Sequence, residues 1–325
     1  MAQPNEYTIH MIGHGHIDPT WLWRWTEGYE EVRATFRSAL DRMNETPEFK
    51  FTASSACFYR WMKTSEPALF ERIRERVKEG RWEIAGGFYV EPDCNVPCGE
   101  SFVRHGLYSQ RFFQHEFGVR AKVGFNPDSF GHDGALPQIL KKLGMDYYVY
   151  MRPSPGVEMD YPEGTTFWWE AADGSRVLAC NLPLDYVTKE SIEEGSIRLV
   201  RYPHLNPGQT QILGFYGVGN HGGGPTKRTI DEILTQQQRE DVPKLKFSTL
   251  FDYFQDFLQY DGTDGIPAVR KDLQHHARGC YSVHAGIKRL NRQVEHALMA
   301  AERFATAAWL LDARPYPHDQ FEKAW

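Results

Sequence analysis

Alternating β-formers from Tyr7 to Ile12, halted by Gly13 and Gly15, predict a strand followed by a loop carrying His14, His16 and Asp18. The apolar positions then shift to helical spacing. Val32, Phe36, Leu40 and Met43 predict a helix over 29–44, and 49–53 reads as a second strand. Leu69, Phe70, Ile73 and Val77, closed by Gly80, predict a helix over 67–79 before a strand at 82–85. Helices over 99–117 and 135–143 alternate with strands over 122–125 and 147–151, the signature of a mostly parallel sheet in an α/β fold. Asp173-Gly174, between 167–171 and 176–181, predicts an inserted β-hairpin. A strand at 211–216, the glycine-rich 217–226 and a helix over 229–239 restore the alternation. Beyond about residue 270, Ile287, Leu290, Val294, Leu298, Ala301, Ala305, Ala308 and Leu311 predict one long amphipathic helix with no strand behind it. The expected division is an α/β domain over 1–268 and the start of a helical domain over 269–325. Pro315 and Pro317 end the long helix, and Asp319 with Glu322 predicts a capping box opening another. That helix is cut short at Trp325, as expected of a piece of a longer protein.

The 325 residues suffice for a large core. A net charge of −6 with interspersed signs leaves no basic stripe, so neither nucleic acid nor an anionic membrane is an expected partner. Aromatic residues make up 14%, with nine tryptophans, and indoles suit the apolar C–H faces of sugars as well as a core. Cys57, Cys94, Cys98, Cys180 and Cys280 are odd in number and scattered, which points to reduced thiols; Cys94-x-x-x-Cys98 has no matching second pair and reads as structural. The first residues show no basic or apolar leader, so a cytoplasmic location is expected, and the sequon at Asn44 is expected to be idle.

His14-Gly15-His16-Ile17-Asp18-Pro19-Thr20-Trp21 places imidazoles and a carboxylate in one loop at a strand's carboxyl end, where α/β folds bind ligands. His16 and Asp18, two residues apart, point the same way on an extended loop and suit zinc, although an isolated HxH also serves as hydrogen-bonded packing. A dinuclear metallo-β-lactamase site begins similarly but needs a histidine where Pro19 stands. Gly124 to His132 contains Pro127-Asp128-Ser129-Phe130-Gly131-His132 after another strand; a turn with an N-cap explains it equally well, yet a parallel sheet brings Asp128 to the same edge as His16. Gly219-Asn220-His221-Gly222-Gly223-Gly224 follows a third strand, and its glycines permit close backbone approach to a ligand.

Together these motifs resemble glycoside hydrolase family 38, the retaining α-mannosidases, with support from 86–93, 136–139, 278–282 and 288–292. The resemblance implies a barrel-like, seven-stranded β/α domain followed by a three-helix bundle. It implies zinc ligands at His16, Asp18 and Asp128, with Asp128 also the nucleophile, and a mannose subsite with Trp21, Asp93 and Asn220. The substrate implied is an α-mannoside, and relatives often associate as homo-oligomers. A further zinc histidine, from a His-Asp segment, would fall beyond Trp325; the surroundings of His318-Asp319 read as the helix leading toward it, so an incomplete zinc site is expected.

The acid/base position also departs from the family. Relatives carry an aspartate in the segment matching 219–222, where this chain has Asn220 and His221; an imidazole can exchange a proton near neutrality, which nominates His221 ahead of Asp185, Asp93 and Glu91. His14 and His132 would orient ligands, and His284 reads as structural or near the rim. A metal-dependent carbohydrate deacetylase and a non-catalytic mannoside-binding module are the rival readings.

Overall fold

The computed structural model describes residues 4–154, 164–219, 221–274, 277 and 279–325. Its strands are β1 (Thr8–Gly13), β2 (Phe51–Ala53), β3 (Trp82–Ile84), β4 (Val123–Asn126), β5 (Tyr147–Tyr150), β6 (Thr166–Glu170), β7 (Arg176–Asn181), β8 (Gln211–Tyr216), β9 (Lys244–Ser248) and β10 (Ala268–Val269). The helices are α1 (Trp25–Glu45), α2 (Ala56–Ser65), α3 (Pro67–Lys78), α4 (Gly99–Phe117), α5 (Leu136–Lys142), α6 (Ile192–Val200), α7 (Lys227–Gln236), α8 (Leu250–Asp256), α9 (Ala285–Asp312) and α10 (His318–Ala324).

Among the described residues the strands form three sheets, ordered β8-β1-β9, β2-β3 and β10-β6-β7-β5-β4, rather than one hydrogen-bonded seven-stranded barrel. Every ladder is parallel except the hairpin of β6 and β7. Gly174 turns that hairpin at φ +82, a conformation a residue with a Cβ rarely adopts. Helices cover the sheets with the apolar stripes the sequence shows: Val32, Phe36, Leu40 and Met43 of α1 meet Phe51, Tyr59 and Trp82 in one core. Phe125, Val149, Leu178 and Leu213 fill a second core, between strands and α8.

Short or irregular segments escaped the sequence pattern. α2, α6, α8, β9 and β10 are too brief, or too close to a neighbouring element, for periodicity to separate them. The box expected of Asp319 and Glu322 does not form: α10 starts after Pro317 with no side-chain cap, and Glu322 pairs with Arg60 at 3.0 Å.

α9 lies on the α/β body through polar contacts. Glu295, its one buried residue, accepts from the Cys98 N–H at 2.8 Å and the Ser101 hydroxyl at 2.6 Å, capping α4 from outside, while Glu302 binds Arg104 through two bonds of 2.8 and 2.6 Å. Ile287, Leu290, Val294 and Leu311 remain exposed on α9, Leu311 at 83%. No helix among the described residues is long and apolar enough to cross a membrane.

Glu83 on β3 ties two layers together. Its carboxyl accepts from Thr52 Oγ1 and from the Leu250 and Phe251 N–H groups at the start of α8, each at 2.8 Å, and burial pushes its pKa up from 4.5 to about 7. A raised carboxyl pKa gives stability that is complete below the unfolded value and is lost as pH rises through the folded one. Relative to Glu83→Gln, the native protein should lose about 2 kcal/mol of unfolding free energy between about pH 4.5 and 7, a figure discounted for residual solvent contact. Urea melts across that range on both proteins would show the difference, and parallel curves would refute it.

Candidate active site

The loops after β1, β2, β3, β4, β5 and β7 line one cleft of about 580 Å³. It contains His14, His16, Asp18, Trp21, Glu91, Asp93, Asp128, Arg152 and Tyr186, so side chains far apart in sequence share a wall at the carboxyl ends of the strands.

Close packing of two loops builds the floor. The His14 N–H donates to the Tyr216 carbonyl, and a Cβ on Gly217 would lie 1.9 Å from His14 O, so only glycine lets the glycine-rich segment run there. On the other side Gly28 of α1 faces Pro19 O, where a Cβ would come within 2.2 Å. The 14–21 loop is thus clamped between α1 and the strand β8 exit.

Three carboxylates converge on the buried His16. Its Nε2 is 3.3 Å from Asp18 Oδ1 and 3.9 Å from Asp128 Oδ2, and its Nδ1 is 3.5 Å from Glu91 Oε2. Burial opposes the protonated ring, but the Asp18 contact and the charges of Glu91, Asp18 and Asp128 outweigh it and raise the His16 pKa. His16 Nε2 is buried without a hydrogen-bond partner. Glu91 also accepts from the Asp128 N–H at 2.9 Å and the Ser129 hydroxyl at 3.4 Å, and burial raises its pKa. It thereby joins the His16 ring to the Asp128 backbone.

Arg152 escaped the sequence reading. Its Nε donates to Asp128 Oδ1 at 2.5 Å, and it bonds the Tyr186 hydroxyl, whose ring lies 4.8 Å from that of His16. The signal available was its position: a guanidinium directly after the apolar strand β5, at the edge where the other functional residues lie.

The remaining candidates separate. Asp93 lines the cleft, but its Oδ1 accepts from the Asn95 and Val96 N–H groups at 2.9 Å each, as a turn does. Asp185 faces a neighbouring pocket and pairs with Lys189. His221 stacks on Trp23 at 4.0 Å, with Nε2 2.9 Å from Glu27 Oε1 in an ion-pair contact, and Trp23 in turn donates to the Asp18 carbonyl at 3.0 Å. Asn220 lies outside the described residues. Trp21 stands at the mouth, 64% exposed, and His284 is exposed at the start of α9. The five cysteines are unpaired, and Cys94 is buried, accepting from Asn126 Nδ2 at 3.0 Å. Among the described residues no three His, Cys, Asp or Glu side chains stand in metal-holding geometry.

The model of the glycosyl hydrolases family 38 N-terminal domain matches residues 6–274, and the chain belongs to that family. It is 35% identical over 90% of its length to alpha-mannosidase G of Dictyostelium discoideum, and 33% identical over 99% to alpha-mannosidase 2C1 of Homo sapiens. It covers only 27% and 31% of those two proteins. The crystal structure of an alpha-mannosidase from Enterococcus faecalis V583 superposes with a TM-score of 0.82 over 98% of this chain and 37% of that one, at 21% identity, a likeness of fold.

His132 and His14 are buried supports. The Arg152 carbonyl accepts at 2.7 Å from His132 Nε2, so Nε2 carries the proton and Nδ1 accepts from the Tyr148 hydroxyl at 2.7 Å; burial lowers the His132 pKa to about 4. The Thr52 carbonyl accepts from His14 Nδ1 at 2.9 Å, and burial lowers that pKa to about 3. Nitrogen-15 spectra should find His132 as the neutral Nε2–H tautomer throughout about pH 5 to 8. A midpoint near the usual histidine value would mean that water reaches the ring.

Proposed function

We propose that this chain carries the catalytic α/β domain of a retaining glycoside hydrolase that removes terminal α-linked mannose from free oligosaccharides or small mannosides. The observation that carries the proposal is the buried His16 Nε2 set 3.3 Å from Asp18 and 3.9 Å from Asp128, with Asp128 held from its other oxygen by Arg152. Imidazole and carboxylate are donor types that zinc takes, so His16, Asp18 and Asp128, which do not yet stand in ligating geometry, are the residues assigned to hold it. Zinc bound there would supply a Lewis acid for sugar hydroxyls and offset the crowding of carboxylates.

The chain's own groups divide the chemistry. Asp128 attacks the anomeric carbon as the bond to the leaving oxygen breaks; water then displaces the carboxylate from the opposite face, and two inversions give retention. Arg152 fixes the plane of the Asp128 carboxylate and stabilises it when it is expelled. Glu91 holds the His16 ring from Nδ1. His221, with Glu27 at its Nε2, is assigned to protonate the leaving oxygen and then to take the proton from water. Five unpaired thiols suit a reducing, cytoplasmic setting. The exposed apolar face of α9 fits the start of a helical domain completed by polypeptide such as its longer relatives have.

These assignments are tested on the full-length protein with p-nitrophenyl α-mannoside. Chelator dialysis should abolish turnover and zinc should restore it. Asp128→Asn should cost at least about 10³-fold in kcat and Arg152→Met about 10²-fold. An Asp128→Asn variant that still releases acetate from acetylated sugars, from a parent that leaves mannosides intact, would replace this reading with a deacetylase. His221→Ala should slow mannosides with poor leaving groups far more than the aryl mannoside; equal losses on both would remove His221 from the acid/base role.

A further inference from the structure

Between the end of β3 at Ile84 and the start of α4 at Gly99 the chain has no helix or strand, yet this stretch delivers Glu91 to His16. An irregular segment holds a side chain in place only where its own backbone is fastened. The fastenings of residues 91–98 fall into two sets. On the cleft side, Glu91 accepts from the Asp128 N–H at 2.9 Å, the Pro92 carbonyl accepts from the Ser129 hydroxyl at 2.9 Å, and Cys94 bridges to His132. On the far side the partners come from α9. Arg292 donates through one nitrogen to the Val96 carbonyl at 3.1 Å and through another to Glu295 Oε2 at 2.8 Å, and Glu295 Oε1 accepts from the Cys98 N–H at 2.8 Å. Between the two sets, the side chains of Asn95 and Gln274 exchange bonds of 2.6 and 3.3 Å.

The Glu295 contact replaces a cap that α4 lacks. The N-cap position holds Cys98, which makes no side-chain cap, where Ser, Thr, Asp or Asn usually stands. In a capping box the acceptor for the N-cap N–H is a Glu or Gln at the third helical residue. Here that residue is Ser101, whose hydroxyl is itself a donor, to the same Glu295 oxygen at 2.6 Å. The acceptor is therefore supplied from 197 residues further along the chain. A carboxylate is costly to bury unless it is hydrogen-bonded and paired, and Glu295 uses both oxygens while its charge lies at the positive end of α4. The other polar tie of α9, Glu302 to Arg104, lands within α4 and fastens none of residues 91–98. Docking α9 on α4 is common to both glutamates, whereas only Glu295 fixes the end of the segment that carries Glu91.

We propose that Glu295 is a positioning residue for the chemistry of the cleft: by holding the Cys98 end of the 91–98 segment, it sets where Glu91 meets the His16 ring and the Asp128 N–H. The reaction concerned is the one proposed above, and the assignment rests on that reading for its effect on turnover.

The test uses full-length protein and p-nitrophenyl α-mannoside. Glu295→Ala should lower kcat about tenfold with KM within about twofold, as loss of a group that orients a site from outside does. Glu302→Gln, which loosens the other tie, should leave kcat within about twofold of native. In a Glu91→Gln background the further change Glu295→Ala should cost less than about twofold, because the side chain it positions is already altered. Arg292→Met, at a side chain 44% exposed, breaks the bond to Val96 and one tie to Glu295; it reads the same coupling should Glu295→Ala fail to fold. Its loss should be about threefold, and likewise vanish in the Glu91→Gln background. Unchanged kcat, equal losses in Glu295→Ala and Glu302→Gln, or losses that multiply with that of Glu91→Gln would make Glu295 a docking contact and overturn the proposal. Amide exchange reads the coupling without turnover: Glu295→Ala, but not Glu302→Gln, should speed exchange about tenfold in peptides covering 86–98 and 124–132. Faster exchange confined to 99–104 would refute it. Should the native protein hydrolyse no mannoside, the mannosidase reading fails by itself and the exchange result alone decides the positioning role.

Discussion

Everything in the cleft depends on placing three carboxylates around one buried imidazole. Like charges a few ångströms apart in a partly dry site repel strongly, so Asp18, Glu91 and Asp128 can share it only if positive charge sits among them or one of them keeps its proton. The chain provides some of that charge itself, through Arg152 against Asp128 and through the raised proton affinity of His16.

The surroundings are built to keep that cluster in register. Glu91 joins the His16 ring to the Asp128 backbone, so the loops after β1, β3 and β4 cannot shift independently. His132 holds the Arg152 carbonyl, and Tyr148 fixes the tautomer of His132, which carries the same constraint into β5. Both supporting imidazoles, His14 and His132, are dry and neutral and add no charge to a site crowded with it. Glycine at 217 and 28 lets the backbones on either side of the 14–21 loop come close enough for all this to meet.

Much of the architecture was legible in the sequence because its elements are long and periodic. α4 and β8 fall on the residues the pattern gives, and α1, α3, α5, α9 and the Asp173-Gly174 hairpin shift by a few positions at most. α8 and β9 were not legible, since neither carries a clear apolar period. His16, Asp18 and Asp128 could be named from their motifs. Arg152 could not, because a lone guanidinium after an apolar strand is common, and only the proximity of β4 and β5 makes it a partner of Asp128.

The sequence by itself therefore determined the mixed α/β class, the strand ends at which chemistry gathers, and the family to which the motifs belong, because periodicity and motif spacing are local properties of a chain. Tertiary structure alone decided which of the candidates meet. It drew His16, Asp18, Glu91, Asp128 and Arg152 into one cleft, committed Asp93 to its own turn and Asp185 to Lys189, and put His221 beside Glu27 and Trp23. The reason is that Coulombic attraction and ring stacking act through distance in space, and the strand order that sets those distances is a consequence of the whole core.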